Sequence, residues 1–141
     1  YSAVIDRDLL LAGTLLHDFA KAKEFAFSEL GLVTNYSTNG QLLGHLVMGA
    51  QEVADVAGEL GVPDDKAVLL QHMILSHHGE PEFGAAVRPL FAEADLLSHI
   101  DLIDSRMEIY REVLRDLSVG EFSDRIFALE RRVYKPHELK E

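Results

Sequence analysis

The stretch Leu42-Leu43-Gly44-His45-Leu46-Val47-Met48-Gly49-Ala50-Gln51-Glu52-Val53-Ala54-Asp55-Val56-Ala57-Gly58-Glu59-Leu60, closed by Gly61, decides the fold class. Its apolar residues Leu43, Leu46, Val47, Ala50, Val53, Ala54, Ala57 and Leu60 recur at spacings of three and four. That spacing puts them on one stripe of a helix and is incompatible with the two-residue alternation of a half-buried strand. Gly61 predicts the stop. Moving toward the C-terminus, Pro63 with Asp64 and Asp65 opens a second helix whose first turn carries acids, and Leu70, Ile74 and His77 share its face until Gly79. Glu80 to Arg88 reads as a loop. Pro89 then begins the longest helix, in which Leu96, Ile100, Ile103, Met107, Tyr110, Leu114 and Leu117 repeat at three and four up to Gly120. The tail, Glu121 to Glu141, has a short helical pattern around Ile126 to Leu129. Toward the N-terminus, Gly31 to Gly40 is polar, contains glycine and lacks a helical period, so it reads as a loop with a short extended piece. Loops of that length tend to be functional. Before it, a helix is expected from about Asp6 to Asp18, with Asp6 as N-cap and apolar residues crowding Leu9 to Leu16. No alternating run is long enough to support a sheet. The expected class is all-α.

A chain of 141 residues is one domain's worth, and 48% hydrophobic with 26% charged residues is the balance of an ordinary globular protein. Thirteen Lys and Arg against 24 Asp and Glu give a net charge of −11. So acidic a surface repels a phosphate backbone, which argues against nucleic-acid binding through a broad basic face; a phosphate substrate would need local cations. Cysteine is absent, which excludes disulfide scaffolds, zinc knuckles and thiol nucleophiles. The longest apolar stretch, Leu9 to Leu16, is far too short to span a bilayer, and no signal peptide precedes it. A cytoplasmic location without membrane contact is expected. The chain starts at Tyr1 and enters a helical pattern within a few residues, which reads as a piece of a longer protein.

Seven histidines are present: His17, His45, His72, His77, His78, His99 and His137. Imidazole is the commonest transition-metal ligand, so the question is which of them converge. His17-Asp18 closes an apolar helix, where the dipole favours His and the later Lys21 but disfavours Asp18; a compensating cation such as a metal ion would remove that conflict. His77 and His78 are adjacent in a last helical turn, where dipole stabilisation is a sufficient alternative explanation. His45, in a first turn, gains nothing from the dipole, which favours a specific role. Asp101 lies four after Leu97 and seven after Ala94 on an otherwise apolar face, and a carboxylate buried there is costly without a partner. Arg106 or Arg111 would serve as that partner, as would plain exposure beside Asp104. His72, His99 and His137 read as ordinary flank or tail residues.

The order of these groups, HD, then GH, then HH, then a carboxylate deep in a long helix, resembles the HD superfamily of metal-dependent phosphohydrolases. Ala12-Gly13-Thr14-Leu15-Leu16-His17-Asp18, Leu42-Leu43-Gly44-His45, Leu70-Gln71-His72-Met73-Ile74-Leu75-Ser76-His77-His78-Gly79 and the tail Arg125-Ile126-Phe127-Ala128-Leu129-Glu130 with Tyr134-Lys135-Pro136 look like the HD domain of YhaM-type 3′-to-5′ exoribonucleases. The resemblance implies an HD-domain helical bundle over residues 1–141, following an upstream OB-fold that supplies the grip on nucleic acid. It also implies Asp18 as a bridge between two metals, with His17 and Asp101 serving one and His45, His77 and His78 the other. The family's first ligand His lies on an upstream helix, and Tyr1 to Leu16 contains none, so the His17 and Asp101 site would keep three protein contacts here.

One or two divalent transition-metal ions are implied. Mixed imidazole and carboxylate donors suit Mn or Fe first, then Ni, Co or Zn, better than Mg or Ca. Such a site activates water and stabilises charge on an attacked phosphoryl group. Asp18 and Lys21 are the implied catalytic residues; Lys21 would place a point charge on a phosphate oxygen, with Arg88 as a second, weaker phosphate contact. The implied substrate is RNA, hydrolysed from its 3′ end. Two other classes stay open: a nucleotide phosphohydrolase using the same metals, and a metal-poor binding module. Self-association also stays open.

Overall fold

The structure is a computed structural model that describes residues 1–139. It divides into two compact units, Tyr1–His99 and Ile100–Glu141.

In the first unit, helix α1 (Arg7–Leu16) starts as expected at Asp6, whose carboxylate accepts from Asp8 N–H at 2.9 Å and Leu9 N–H at 3.1 Å. A turn over residues 17–20 leads into the single-turn α2 (Lys21–Glu24). Strands β1 (Phe25–Phe27) and β2 (Val33–Tyr36) form an antiparallel hairpin, Phe25 opposite Tyr36. Then α3 (Thr38–Leu60) packs most extensively against α4 (Asp64–Ser76). The connection carries Gly61 in the left-handed conformation (φ 67°), as its place after the apolar stripe required. The core joins Met73 of α4 to Ala94 and Leu97 of α5 (Ala92–Arg115), flanked by Leu9, Leu10 and Phe91. Helices α1 and α4 approach closely at Gly13, where a Cβ would fall 2.2 Å from the Met73 methyl.

The second unit contains the rest of α5 and a tail folded back on itself. Bridges pair Phe122 with Tyr134 and Ile126 with Arg131, around a 3-10 turn at Phe127–Leu129. The ammonium of the buried Lys135 donates to the Leu117 carbonyl at 2.8 Å.

The helical class holds, and four expectations need correction. The segment expected to be a loop, Gly31 to Gly40, is mostly β2 and the start of α3; its polar residues hid a cap in which Ser37 Oγ accepts from Gly40 N–H at 2.9 Å. Phe25–Phe27 pairs as a strand although three residues are too few to display alternation. Helix α4 ends at Ser76, short of Gly79, because a tighter turn follows in which Gly79 N–H donates to the Ser76 carbonyl at 2.8 Å and Gly79 takes the left-handed conformation (φ 77°). Helix α5 spans Ala92–Arg115 in place of Pro89 to Gly120. At its start, Leu90 N–H is taken by His72 Nε2 at 3.0 Å; beyond its end, Leu117 and Gly120 bond to Lys135. The stripe Leu96, Ile100, Ile103 and Met107 is exposed, whereas Ala94 and Leu97 are buried.

Candidate metal centre

Asp18 occupies the turn after α1, and its two carboxylate oxygens face different donors. Oδ1 lies 3.4 Å from His45 Nε2 and 3.6 Å from His77 Nε2. Oδ2 lies 3.5 Å from His17 Nε2 and 2.7 Å from Lys21 Nζ. The rings converge: His77 is 4.2 Å from His78, 5.0 Å from His17 and 5.5 Å from His45, centroid to centroid. One nitrogen from each of His45, His77 and His78 falls in a group no more than 4.8 Å across. Three segments far apart in sequence thus deliver donors to one place in the first unit.

Local structure aims these donors. A carbonyl or carboxylate oxygen can only accept, so each ring nitrogen bonded to one carries the proton. His17 Nδ1–H donates to the Thr14 carbonyl at 2.8 Å and His77 Nδ1–H to the Ile74 carbonyl at 2.7 Å, both one turn back. His45 Nδ1–H donates to the Glu24 carboxylate at 3.2 Å. In all three rings the Nε2 lone pair is left facing Asp18. Gly44 makes the His45 placement possible: at φ 71°, ψ 163° it interrupts α3 in a region that only glycine enters without strain, so His45 begins a new helical segment. Its freed N–H is capped by Glu24 Oε1 at 3.0 Å.

Asp18 Oδ1, His45 Nε2 and His77 Nε2 are buried and lack hydrogen-bond partners. Orphaned buried polar atoms are costly, and three that face one another at 3.4 and 3.6 Å call for a shared cation. Two donors each about 2.1 Å from one ion at a tetrahedral angle lie about 3.4 Å apart, so the spacing fits. Anchored Nδ1–H groups behind the rings are what metal-binding histidines have. Burial pushes the Asp18 carboxyl up, but the hydrogen bond and charge of the Lys21 ammonium, 2.7 Å from Oδ2, act against it, and the group is held well below the usual carboxylate range. Asp18 is therefore anionic at neutral pH, as a ligand must be.

Lys21 is paired with Asp18, Nζ to Oδ2 at 2.7 Å. Arg88 is exposed and held by Glu80, Nε to Oε2 at 2.6 Å, an ion pair that keeps its guanidinium protonated to higher pH than usual. Asp101 lies half-buried on α5, one turn beyond the core residue Leu97. Of its two suggested arginine partners, Arg111 bonds Glu108 at 2.8 Å. Of the remaining histidines, His72 accepts from Leu90, His99 Nδ1 lies 3.1 Å from the Asp95 carbonyl, and His137 is exposed, its Nδ1 2.9 Å from the Glu138 carbonyl. Sequence reasoning missed Glu24. A signal was there: a lone carboxylate in Ala22-Lys23-Glu24-Phe25-Ala26-Phe27 has the same apolar setting that drew attention to Asp101.

Comparison with known proteins agrees with this geometry. A family model described as HD domain matches residues 3–106. The 3′-5′ exoribonuclease YhaM of Oceanobacillus iheyensis is 43% identical over 135 residues, covering 94% of this chain and 41% of the relative. YhaM of Bacillus subtilis is 41% identical over 133 residues, covering 94% and 41%. YhaM of Listeria welshimeri is 40% identical over 130 residues, covering 92% and 41%. The chain thus spans about two-fifths of the length of these relatives. No solved structure matches it. Among the described residues no helix is long and apolar enough to cross a membrane. With the family match spanning the HD pair, the glycine-histidine pair and the HH pair that the fold gathers around Asp18, the chain belongs to the HD domain family.

Proposed function

We propose that this chain is the metal-dependent catalytic domain of a 3′-to-5′ exoribonuclease, holding Mn(II) or Fe between Asp18 and its histidines. The observation that carries this reading is the facing set of orphaned donors: Asp18 Oδ1 with His45 Nε2 at 3.4 Å and His77 Nε2 at 3.6 Å. The exoribonuclease relatives supply the substrate class. His45, His77 and His78 would hold one ion together with Asp18. A second ion has a weaker place: Asp18 Oδ2, His17 and, by its position in the ligand order, Asp101 would hold it, with Lys21 competing for Oδ2 at 2.7 Å. Bound ions would supply an activated water and neutralise charge building on the attacked phosphoryl group.

The chain's own residues then divide the work. Asp18 stays ionised and orients both donor groups. His17, His45 and His77 keep their protons on Nδ1, so their Nε2 lone pairs remain available. Lys21 holds Asp18 in place and offers its ammonium, which touches the cluster, to a phosphate oxygen; Arg88, farther along the chain and paired with Glu80, would assist longer substrates. The net charge of −11 makes an added RNA-binding segment necessary, which we assign to an OB-fold upstream in the longer protein.

The test has two parts. Mn(II) titration by calorimetry should give a tight site that His45→Ala and His77→Ala each abolish. A 5′-labelled single-stranded RNA should shorten progressively from its 3′ end in Mn(II) and stay intact in chelator. Hydrolysis of free nucleotides with intact RNA would instead establish the nucleotide phosphohydrolase class, and absence of Mn(II) uptake would sink the metal reading.

A further inference from the structure

We propose that Glu24 is a positioning residue for His45: its buried carboxylate fixes the Nδ1–H tautomer of the imidazole and holds the ring with Nε2 toward Asp18. Glu24 is only 7% exposed, and burying a carboxylate is costly unless hydrogen bonds compensate it. Both bonds its side chain makes here go to one residue, His45: the backbone N–H at 3.0 Å and ring Nδ1 at 3.2 Å. A helix start is ordinarily capped by a neighbouring side chain within the same turn. The segment beginning at His45 is capped from 21 positions away, by the group that also holds its ring.

The chemistry follows from donor and acceptor rules. An ionised carboxylate offers no hydrogen, so it selects the tautomer with the proton on Nδ1 and leaves the lone pair on Nε2. That lone pair lies 3.4 Å from Asp18 Oδ1, a contact that a shared cation would satisfy. The origin of the Glu24 side chain is itself clamped. Its N–H donates to the Ala20 carbonyl at 2.9 Å, its carbonyl accepts from Ser37 N–H at 2.8 Å, and a Cβ on Gly40 would fall 2.1 Å from that carbonyl oxygen. The hairpin between Glu24 and Ser37 therefore serves to bring the start of α3 back against Glu24.

The consequence for metal affinity rests on the metal reading proposed above; the tautomer does not. Glu24→Gln is isosteric and has one acceptor oxygen. Nδ1 lies 3.2 Å from both carboxylate oxygens; in the amide the oxygen that also takes the His45 N–H remains, and an NH2 replaces the other. That NH2 competes to donate to Nδ1, so the Nδ1–H tautomer loses one of its two acceptors and the ring population shifts toward Nε2–H.

The experiment is ring nitrogen-15 correlation spectroscopy of His45 in the metal-free protein, with Mn(II) titration of the same samples and thermal unfolding to confirm folding. The wild type should show the Nδ1–H tautomer and Glu24→Gln a shift toward Nε2–H, with Mn(II) binding weakened about 10- to 100-fold. Glu52→Gln, which breaks an exposed pair with Lys23, should change neither. An Nε2–H tautomer in the wild type overturns the proposal without any variant, as does an unshifted tautomer in Glu24→Gln, or a shifted one with undiminished Mn(II) affinity. A tautomer shift in Glu24→Gln beside a wild type that binds no Mn(II) upholds the positioning role and refutes the metal reading alone.

Discussion

Replacing Gly44 by Ala tests whether the break before His45 is built into the backbone. Gly44 sits at φ 71°, ψ 163°, and a Cβ there would meet only Glu24 Oε1 at 3.7 Å, an ordinary contact. The cost is therefore conformational. Holding a residue with a Cβ in such a region costs about 1–3 kcal/mol, and the lower entropy of the unfolded chain returns about 0.4–1 kcal/mol. A net loss of roughly 1–2 kcal/mol remains, which for a chain of this size lowers Tm by about 3–7 °C. If the chain relieves the strain by turning residue 44 helical, His45 N–H leaves Glu24 and Nε2 swings from Asp18, so Mn(II) affinity falls as well. Gly61 provides the comparison, since φ 67°, ψ 30° is the left-handed helical region that Asn tolerates. Thermal unfolding of metal-free protein should show Gly61→Asn close to wild type and Gly44→Asn as damaging as Gly44→Ala. If Gly44→Ala matched the wild type in Tm and Mn(II) affinity, or Gly44→Asn were as mild as Gly61→Asn, the reasoning would be refuted.

Further expectations concern packing, pH and phosphate contact. Gly40→Ala should destabilise more than Gly13→Ala by urea unfolding, because its Cβ meets Glu24 backbone at 2.1 Å while that of Gly13 meets the end of the flexible Met73 side chain; overpacking costs about 1–3 kcal/mol or more, and equal losses would contradict this. Burial pushes the His72 imidazole below the usual range, and its Nε2 must be unprotonated to accept from Leu90 N–H. The unfolded chain then binds more protons, so the stability owed to His72 is full above about pH 6.5 and is lost as pH falls through the lowered folded value. The difference in unfolding free energy between wild type and His72→Gln should shrink from about pH 8 to about pH 5; a flat difference would argue against it. Lys21→Met removes the ammonium 2.7 Å from Asp18 Oδ2, and should leave Mn(II) affinity equal or tighter while lowering RNA turnover about 100-fold. Weaker Mn(II) binding in that variant would mean that Lys21 serves to build the site and does not act on phosphate.

The sequence by itself determined the helical class, the Asp6 cap, the stop at Gly61 and the residues gathered around Asp18, because each is written in local pattern. Spacings of three and four mark a helix whatever it packs against, and a His or Asp at an unfavourable place on a helix advertises a partner. It also carried the family resemblance, since HD, GH and HH survive as short words in the chain. Only the tertiary structure decided how those words meet. Whether His45 Nε2 or Nδ1 faces Asp18 depends on Glu24, 21 residues away and brought back by a hairpin too short to show alternation. Which stripe of α5 is buried depended on Met73 and Leu9 meeting Ala94 and Leu97, while the equally periodic Leu96, Ile100 and Ile103 stayed exposed. The ends of α4 and α5 likewise moved because Gly79 N–H bonds back to Ser76 and Leu90 gives its N–H to His72. Periodicity records that a face is apolar; which face is covered, and where a helix gives up its hydrogen bonds, is settled by competition with groups distant in the chain.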